Sequence, residues 1–505
     1  METIKVDHKY VVNPAYLFRN DISSIVLTNN ISSVFDSTYP TEEITSSFTW
    51  KIHPDLFFVF RLFNGQRTLQ DIWDLQFKKH DITIQDFKRA IIPYVENKDV
   101  VITPLYEKFP QSIPKNFLIH NDSNIVRNDL LENLDLKSVK ENLDLTTQRL
   151  RIPNAMTLML TTACITDCVY CYADRPPVKN PISFDRLRVI IKEACDLQMA
   201  SIDLDGGDFF LYKHWRELLA DLYQHGYRPQ ISTKHPITKE IIRDLQRIGV
   251  NKIQLSLDSI INDEIKRILK VGDGYLREVM KGIELLNSAG FEITIKPVIT
   301  KFNDSVLSLN SMIDYLKQFD NIKRINFTPA DYSRFKRLSS YSSNRKQLSI
   351  LNDICEIRNE ECEGRLSFLG YNTPILKEDR ARLFSKRSIC SGNVHSFFVL
   401  PDGKVTVCEQ MYWHPYFILG DLNKQSIMEM WESEKALSLW NFSKEDVRDE
   451  SPCKQCFEFE NCRRGLGSCW RLAISAFGDD SYDYPAPDCP YAPNIEEHDF
   501  YIPET

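Results

Sequence analysis

Three cysteines, Cys164, Cys168 and Cys171, fall within eight residues in the stretch TTACITDCVYCYADRP (161–176). Thiols this close can hold a structural metal ion, cycle as a redox pair, or ligate an iron–sulfur cluster. A structural zinc needs a fourth ligand at hand, and after Cys171 no Cys or His follows until Cys195. A thioredoxin-type pair uses one C-x-x-C at a helix start, which leaves Cys164 over. A cube of iron and sulfide held by three thiolates uses all three and leaves one iron for a ligand that is not protein.

Seven more cysteines lie between 390 and 489, and only Cys195, Cys355 and Cys362 stand apart. C-x-x-C pairs also suit zinc, so zinc and iron–sulfur both stand for this second region. The N-terminal METIKVDHKYVVNPAYLF has neither the basic nor the apolar part of a signal peptide. No apolar run approaches the roughly 18 residues that cross a bilayer. The expectation is a cytoplasmic chain without a membrane partner, whose thiols stay reduced and serve as metal ligands or catalytic groups rather than disulfides. A formal net charge of −8 argues against nucleic acid as the main partner.

A chain of 505 residues is long enough for two to four domains, and 43% apolar with 26% charged residues is a globular composition. Residues 1–110 predict a strand at 46–52, a helix, a turn at Asn64-Gly65, a second helix opened by Thr68, a third helix near 83–97 and a last short strand: a small winged-helix-like module. Residues 111–150 read as a linker holding one helix. Between 151 and 345, strand patterns (156–160, 201–205, 228–233, 252–258, 292–300 and 322–329) alternate with amphipathic helices such as 185–198 and 274–290. Repeated β-α units predict an α/β fold with a parallel sheet, here a partial (β/α)6 barrel whose chemistry sits at the C-terminal strand ends. The three-cysteine stretch follows the first strand, at that end. A bridge spans 346–388, and a Cys-rich domain occupies 389–495, with a hairpin over 394–410 turning at Asp402-Gly403.

C-x3-C-x2-C after the first strand of a β-α barrel resembles the signature of the radical S-adenosylmethionine (SAM) superfamily. The resemblance implies a [4Fe–4S] cluster on Cys164, Cys168 and Cys171 whose open iron binds SAM. One electron then cleaves the sulfonium and gives a 5′-deoxyadenosyl radical that abstracts hydrogen from substrate, the protein positioning and shielding the reactive group. By the same resemblance Tyr170 lies beside the adenine, and Gly206, Gly207 and Asp208 of DGGDFF meet the methionine amino group. Asp208 and Phe209 stand where the family usually has Glu and Pro. Ser256 contacts SAM from the fourth strand end, and Arg334 pairs with the SAM carboxylate.

The C-terminal cysteines resemble the SPASM extension, whose pattern holds two auxiliary iron–sulfur clusters, expected as [4Fe–4S]. Its interleaved ligation gives Cys453, Cys456, Cys462 and Cys489 to one cluster, and Cys390, Cys408 and Cys469 to the other. The fourth ligand of the latter is Cys355, Cys362 or an open site. The spacing before Cys469 is six residues where the pattern usually has three. Residues 1–110 resemble the RiPP recognition element, which captures the leader of a ribosomally made precursor peptide by adding a strand to a sheet edge beside a helix. Together these resemblances imply a peptide maturase that installs a crosslink, foremost a Cys thioether, fed by an electron donor such as flavodoxin or ferredoxin. Carbon–carbon crosslinking, protein oxidation of the sulfatase-maturing kind, and a non-catalytic peptide-binding scaffold are the alternatives. The residues name no substrate acid or base.

Overall fold

A computed structural model describes residues 4–29, 48–103, 110–131, 133–370, 377–385, 390–495 and 502–504. The first two residues of the strand expected at 46–52, the bridge at 371–376 and 386–388, and position 389 lie outside the described residues. The chain forms two units, one of residues 1–155 with 194–201 and the other of 156–193 with 202–505.

The first unit holds strands that the sequence patterns had not announced: β1 (Lys9–Val12), β2 (Tyr16–Asn20) and β3 (Ile25–Asn29). All three are nearly continuous buried runs, without the polar alternation that marks a half-exposed strand. β4 (Thr49–Ile52) completes the antiparallel sheet β2-β3-β4. A helix over Pro54–Phe60 follows, and then β5 (Asn64–Thr68), which pairs with β1 where only a turn was expected. Thr68 opens the next helix, Leu69–Ile72, through a capping box with Asp71. A helix over Ile84–Ile91 and the hairpin of β6 (Val101–Thr103) with β7 (Gln111–Ile113) come next.

The stretch 111–150, read as a linker, is part of this unit. β8 (Leu118–His120) pairs with β1, Ile113, Phe117 and Leu118 are fully buried, and Arg127 donates to the carbonyls of Val12, Asn13 and Tyr16. Its polar composition hides a few deeply buried anchors. The expected helix is present at Leu136–Glu141.

The second unit is α/β. β9 (Ala155–Met159) and β10 (Ser201–Asp205) are neighbours, and β11 (Ser232–Thr233), β12 (Lys252–Leu255), β13 (Glu292–Ile295), β14 (Val298–Ile299), β15 (Ile322–Pro329) and β16 (Leu366–Phe368) form a second sheet, parallel throughout. The first six strand stations are those of a partial barrel. Two are shorter than their sequence patterns because proline cannot donate to a ladder: Pro229 precedes β11 and Pro297 separates β13 from β14. Capped helices carry the crossovers; in Lys239–Ile248, Thr238 accepts from Ile241 N and Gly249 closes the end at φ 97°. The C-terminal hairpin of β17 (Ser396–Val399) and β18 (Lys404–Thr406), with β19 (Ile418–Asp421), extends the first sheet in the order β10-β9-β17-β18-β19. Its Cys-rich domain is thus hydrogen-bonded to the strand that leads into the three-cysteine loop. Arg186 reinforces the join by donating to the carbonyls of Leu422 and Gln425.

Candidate active site

The loop after β9 is shaped by the end of β10. Gly207 N donates to Thr161 O and Asp208 N to Ala163 O, both at 2.7 Å. A Cβ on Gly207 would stand 2.0 Å from Ala163 O, and one on Gly206, whose φ is 133°, 2.7 Å from Thr161 O. Only two glycines let these backbones touch. From the far side, Asp167 N and Val169 N donate to the carbonyls of Leu269 and Ile268, Arg175 donates to Thr166 O and Asp167, and Ser333 Oγ donates to Cys171 O at 2.8 Å.

Within that frame the Thr166 hydroxyl lies 3.3 Å from both Cys164 Sγ and Cys168 Sγ. Burial pushes the Cys168 thiol up, and it also raises Cys171, which feels the neighbouring Cys164. Buried thiols that resist ionisation need a cation among them to act as ligands, which iron supplies; the donor set fits a cluster. Among the described residues no group of three or more His, Cys, Asp or Glu stands at single-ion spacing.

The remaining residues expected around SAM divide in two. Tyr170 lies over the barrel mouth, its hydroxyl donating to Asp258 at 2.7 Å; Lys234 stands 3.1 Å from the same carboxylate and donates to Ser256 O. Asp258 is fully buried, so Tyr170, Lys234 and the strand end carrying Ser256 form one polar unit. Asp208 is 2% exposed, and its carboxylate accepts from Phe210 N and from Thr233 Oγ1. Burial raises its pKa. Arg334 donates through both terminal nitrogens to Asp479 and lies 3.7 Å over the Trp413 ring. The structure therefore gathers Tyr170, Ser256, Gly206 and Gly207 about the three-cysteine loop, and commits Asp208 and Arg334 to protein partners.

The seven cysteines between 390 and 489 form two groups. Burial raises the thiols of Cys390 and Cys408, and the nearby Cys469 thiol raises both further. Cys408 donates to its neighbour Glu409 at 3.3 Å. Cys489 is pushed up to about 11 by burial and by Cys453, Cys462 and Cys456 around it. Cys355 and Cys362 are buried beside each other, flanked by Arg358, and neither is among the thiols acting on Cys390 or Cys408. Both groups bring several thiols together, the donor set an iron–sulfur cluster takes.

Between the three-cysteine loop and the Cys390–Cys408–Cys469 group opens a shallow slot lined by Tyr172, Tyr332, Arg334, Gln410, Trp413 and Arg471. Tyr172 follows Cys171 and donates to Asp205 at 3.2 Å. The sequence reading passed over Thr166, Arg175, Trp413 and Arg471. Thr166 carried a signal, a hydroxyl between two thiols, whereas Arg471 has none beyond its place two residues after Cys469.

A model of the radical SAM superfamily matches residues 158–308, and one of the SPASM iron–sulfur cluster-binding domain matches 390–457. A GTP 3′,8-cyclase of Helicobacter pylori is 25% identical over 217 residues, 41% of this chain and 64% of that protein; the chain thus spans just under two thirds of that relative. The crystal structure of Streptococcus suis SuiB bound to S-adenosylmethionine superposes with a TM-score of 0.61 at 16% identity, covering 94% of this chain and 98% of SuiB. SuiB bound to its precursor peptide SuiA gives 0.60 at 15% identity over the same shares. At these identities the likeness is one of fold. Radical SAM and SPASM domains are ones that carry SAM on a [4Fe–4S] cluster and auxiliary iron–sulfur clusters. Residues 158–308 are thus a radical SAM domain, and residues 390–457 a SPASM iron–sulfur cluster-binding domain.

Proposed function

We propose that this chain modifies a ribosomally made precursor peptide, joining a cysteine sulfur to a carbon of the same peptide as a thioether. The observation that supports the reading is an open slot between two groups of converging thiols, lined by Tyr172 on one side and by Gln410 and Arg471 on the other. When bound, SAM and its cluster would supply a 5′-deoxyadenosyl radical able to remove a hydrogen atom, and an auxiliary cluster would supply an acceptor for the second electron, the thiol proton passing to solvent. Cys164, Cys168 and Cys171 hold the first cluster, Cys390, Cys408 and Cys469 the second, and Cys453, Cys456, Cys462 and Cys489 the third. Tyr170, Gly206, Gly207 and Ser256 seat SAM. Asp208 shapes the strand end from within rather than reaching the cofactor, and Arg334 walls the slot.

The first unit is the leader-capturing part, with the sheet β2-β3-β4 and the helix Ile84–Ile91 as its elements. These elements belong to the compact unit that runs to residue 155. SuiB, similar in fold over nearly its whole length, has been crystallised with a precursor peptide, which supports a peptide as the partner here. No helix among the described residues is long and apolar enough to cross a membrane, in keeping with a cytoplasmic enzyme reduced by a flavodoxin or ferredoxin.

The test is to search the gene's surroundings for a short open reading frame encoding a leader and a Cys-rich or aromatic core, co-express it with this chain and read the product by mass spectrometry. A thioether removes two hydrogens and one alkylatable thiol per crosslink. Loss of two hydrogens with every thiol still alkylatable makes the product a carbon–carbon crosslink, and an unmodified peptide overturns the proposal.

A further inference from the structure

Resting on that reading of the slot as the peptide site, we propose that Arg471 selects an acidic side chain of the substrate peptide. The slot contains two guanidinium groups in unlike states. Arg334 is spent: its terminal nitrogens face the two oxygens of Asp479, and its plane lies on Trp413, whose Nε1 is fixed to Gln410 O at 3.0 Å. It forms a rigid wall. Arg471 instead gives one nitrogen to Gln410 Oε1 at 2.8 Å, while Asp331 stands 3.9 Å from its other terminal nitrogen, beyond hydrogen-bond length.

Arginine carries five donors in a planar fork that matches a carboxylate with two parallel bonds. Gln410 holds that fork in place without neutralising it. The Arg471 side chain is only 22% exposed, so a charge pair formed there is screened far less than one at the surface. Met411 and Ile474 line the same slot and provide apolar surface for the methylenes of a Glu side chain. Of the acids facing the slot, Asp479 is taken by Arg334, while Asp331 keeps Oδ1 on Tyr332 N at 2.7 Å and leaves only the long 3.9 Å approach of Oδ2 to Arg471 for an incoming carboxylate to displace.

One other carboxylate is at hand, that of SAM. Arg471 rises from the helix Trp470–Phe477, directly after Cys469 and on the auxiliary side of the slot. The turn of Gly206 and Gly207 and the Tyr170–Asp258 pair lie on the barrel strands. A peptide lying between the two sides meets Arg471.

The test uses full-length, anaerobically reconstituted protein saturated with SAM. Acetyl-Gly-Glu-Gly-amide, its Gln counterpart, and acetyl-Gly-Gly-Gly with a free C-terminal carboxylate are ranked by ligand-observed NMR. The Glu peptide is expected to bind about tenfold more tightly than the Gln peptide. Arg471→Gln removes that preference, and Arg471→Lys, which keeps the charge but loses the fork, retains part of it. The SAM dissociation constant of each variant is expected within about twofold of the parent. Equal binding of Glu and Gln peptides by the unaltered protein overturns the proposal, a comparison that needs no variant to fold. A free C-terminus preferred over Glu, or Arg471→Gln weakening SAM instead of peptide, overturns it as well. Lack of Glu preference in a protein that still crosslinks its precursor sinks this assignment alone, whereas an unmodified precursor sinks the peptide-modifying reading first.

Discussion

Gly207→Ala is the sharpest probe of the cysteine loop. The added Cβ would sit 2.0 Å from Ala163 O, and real Cβ atoms essentially never come within 3.0 Å of a heavy atom. The obstacle is backbone, so loop and strand end must part by at least the difference, 1.0 Å. That movement stretches the two 2.7 Å bonds, Gly207 N to Thr161 O and Asp208 N to Ala163 O. Two weakened hydrogen bonds at about 1 kcal/mol each, with an overpacking cost of about 1–3 kcal/mol, make a local penalty of about 3–5 kcal/mol. The strain falls on the loop, which is held from its far side by hydrogen bonds from Arg175 and Ser333 and to the carbonyls of Leu269 and Ile268, rather than by a strand ladder. Misplacing reacting groups by about 1 Å costs about 100-fold in rate. The variant is therefore expected to keep its circular dichroism spectrum and to lose about two orders of magnitude in 5′-deoxyadenosine formation from SAM and dithionite. Gly272→Ala, with nothing within 4 Å of its new methyl group, is the control and should match the parent. A Gly207→Ala protein cleaving SAM at the parental rate would refute the argument that this contact sets the loop.

Asp258→Ala leaves Lys234 unpaired and Tyr170 unanchored, a loss of about 3–5 kcal/mol that chemical denaturation and cluster retention would reveal; unchanged stability would mean the pair is not shared. Cys168→Ala should abolish SAM cleavage while peptide affinity, read by fluorescence anisotropy, persists. Anaerobically purified protein should be brown with about 12 irons per chain, and colourless protein with zinc on its thiolates contradicts every cluster assignment. Removing residues 1–110 exposes Phe117 and Leu118 and strips β8 of its partner, so the truncated chain should aggregate on size exclusion, whereas removal to 155 should not.

The barrel and its cysteine loop were legible because their signals are local. β10 and β15 coincide with their sequence patterns, and the Gly-Gly pair is dictated by one close approach. The first unit was harder to read: β1, β2 and β3 are four or five residues of buried chain, too short for periodicity to speak, and residues 111–127 hide their anchors among polar neighbours. The fates of Asp208 and Arg334 were out of reach for a different reason. Thr233 lies 25 positions from Asp208, and Asp479 lies 145 from Arg334, so no local pattern links either pair. Arg471 and Trp413 matter only because the fold brings the stretches after Cys408 and Cys469 to one slot.

The strand ladder from β9 into β17 has a mechanical consequence. Neighbouring strands are held about 4.8 Å apart by a row of backbone bonds, and a ladder of this kind does not hinge. The Cys-rich domain cannot swing off like a visor to admit a long polymer from above. Whatever occupies the slot therefore enters it with that ladder intact.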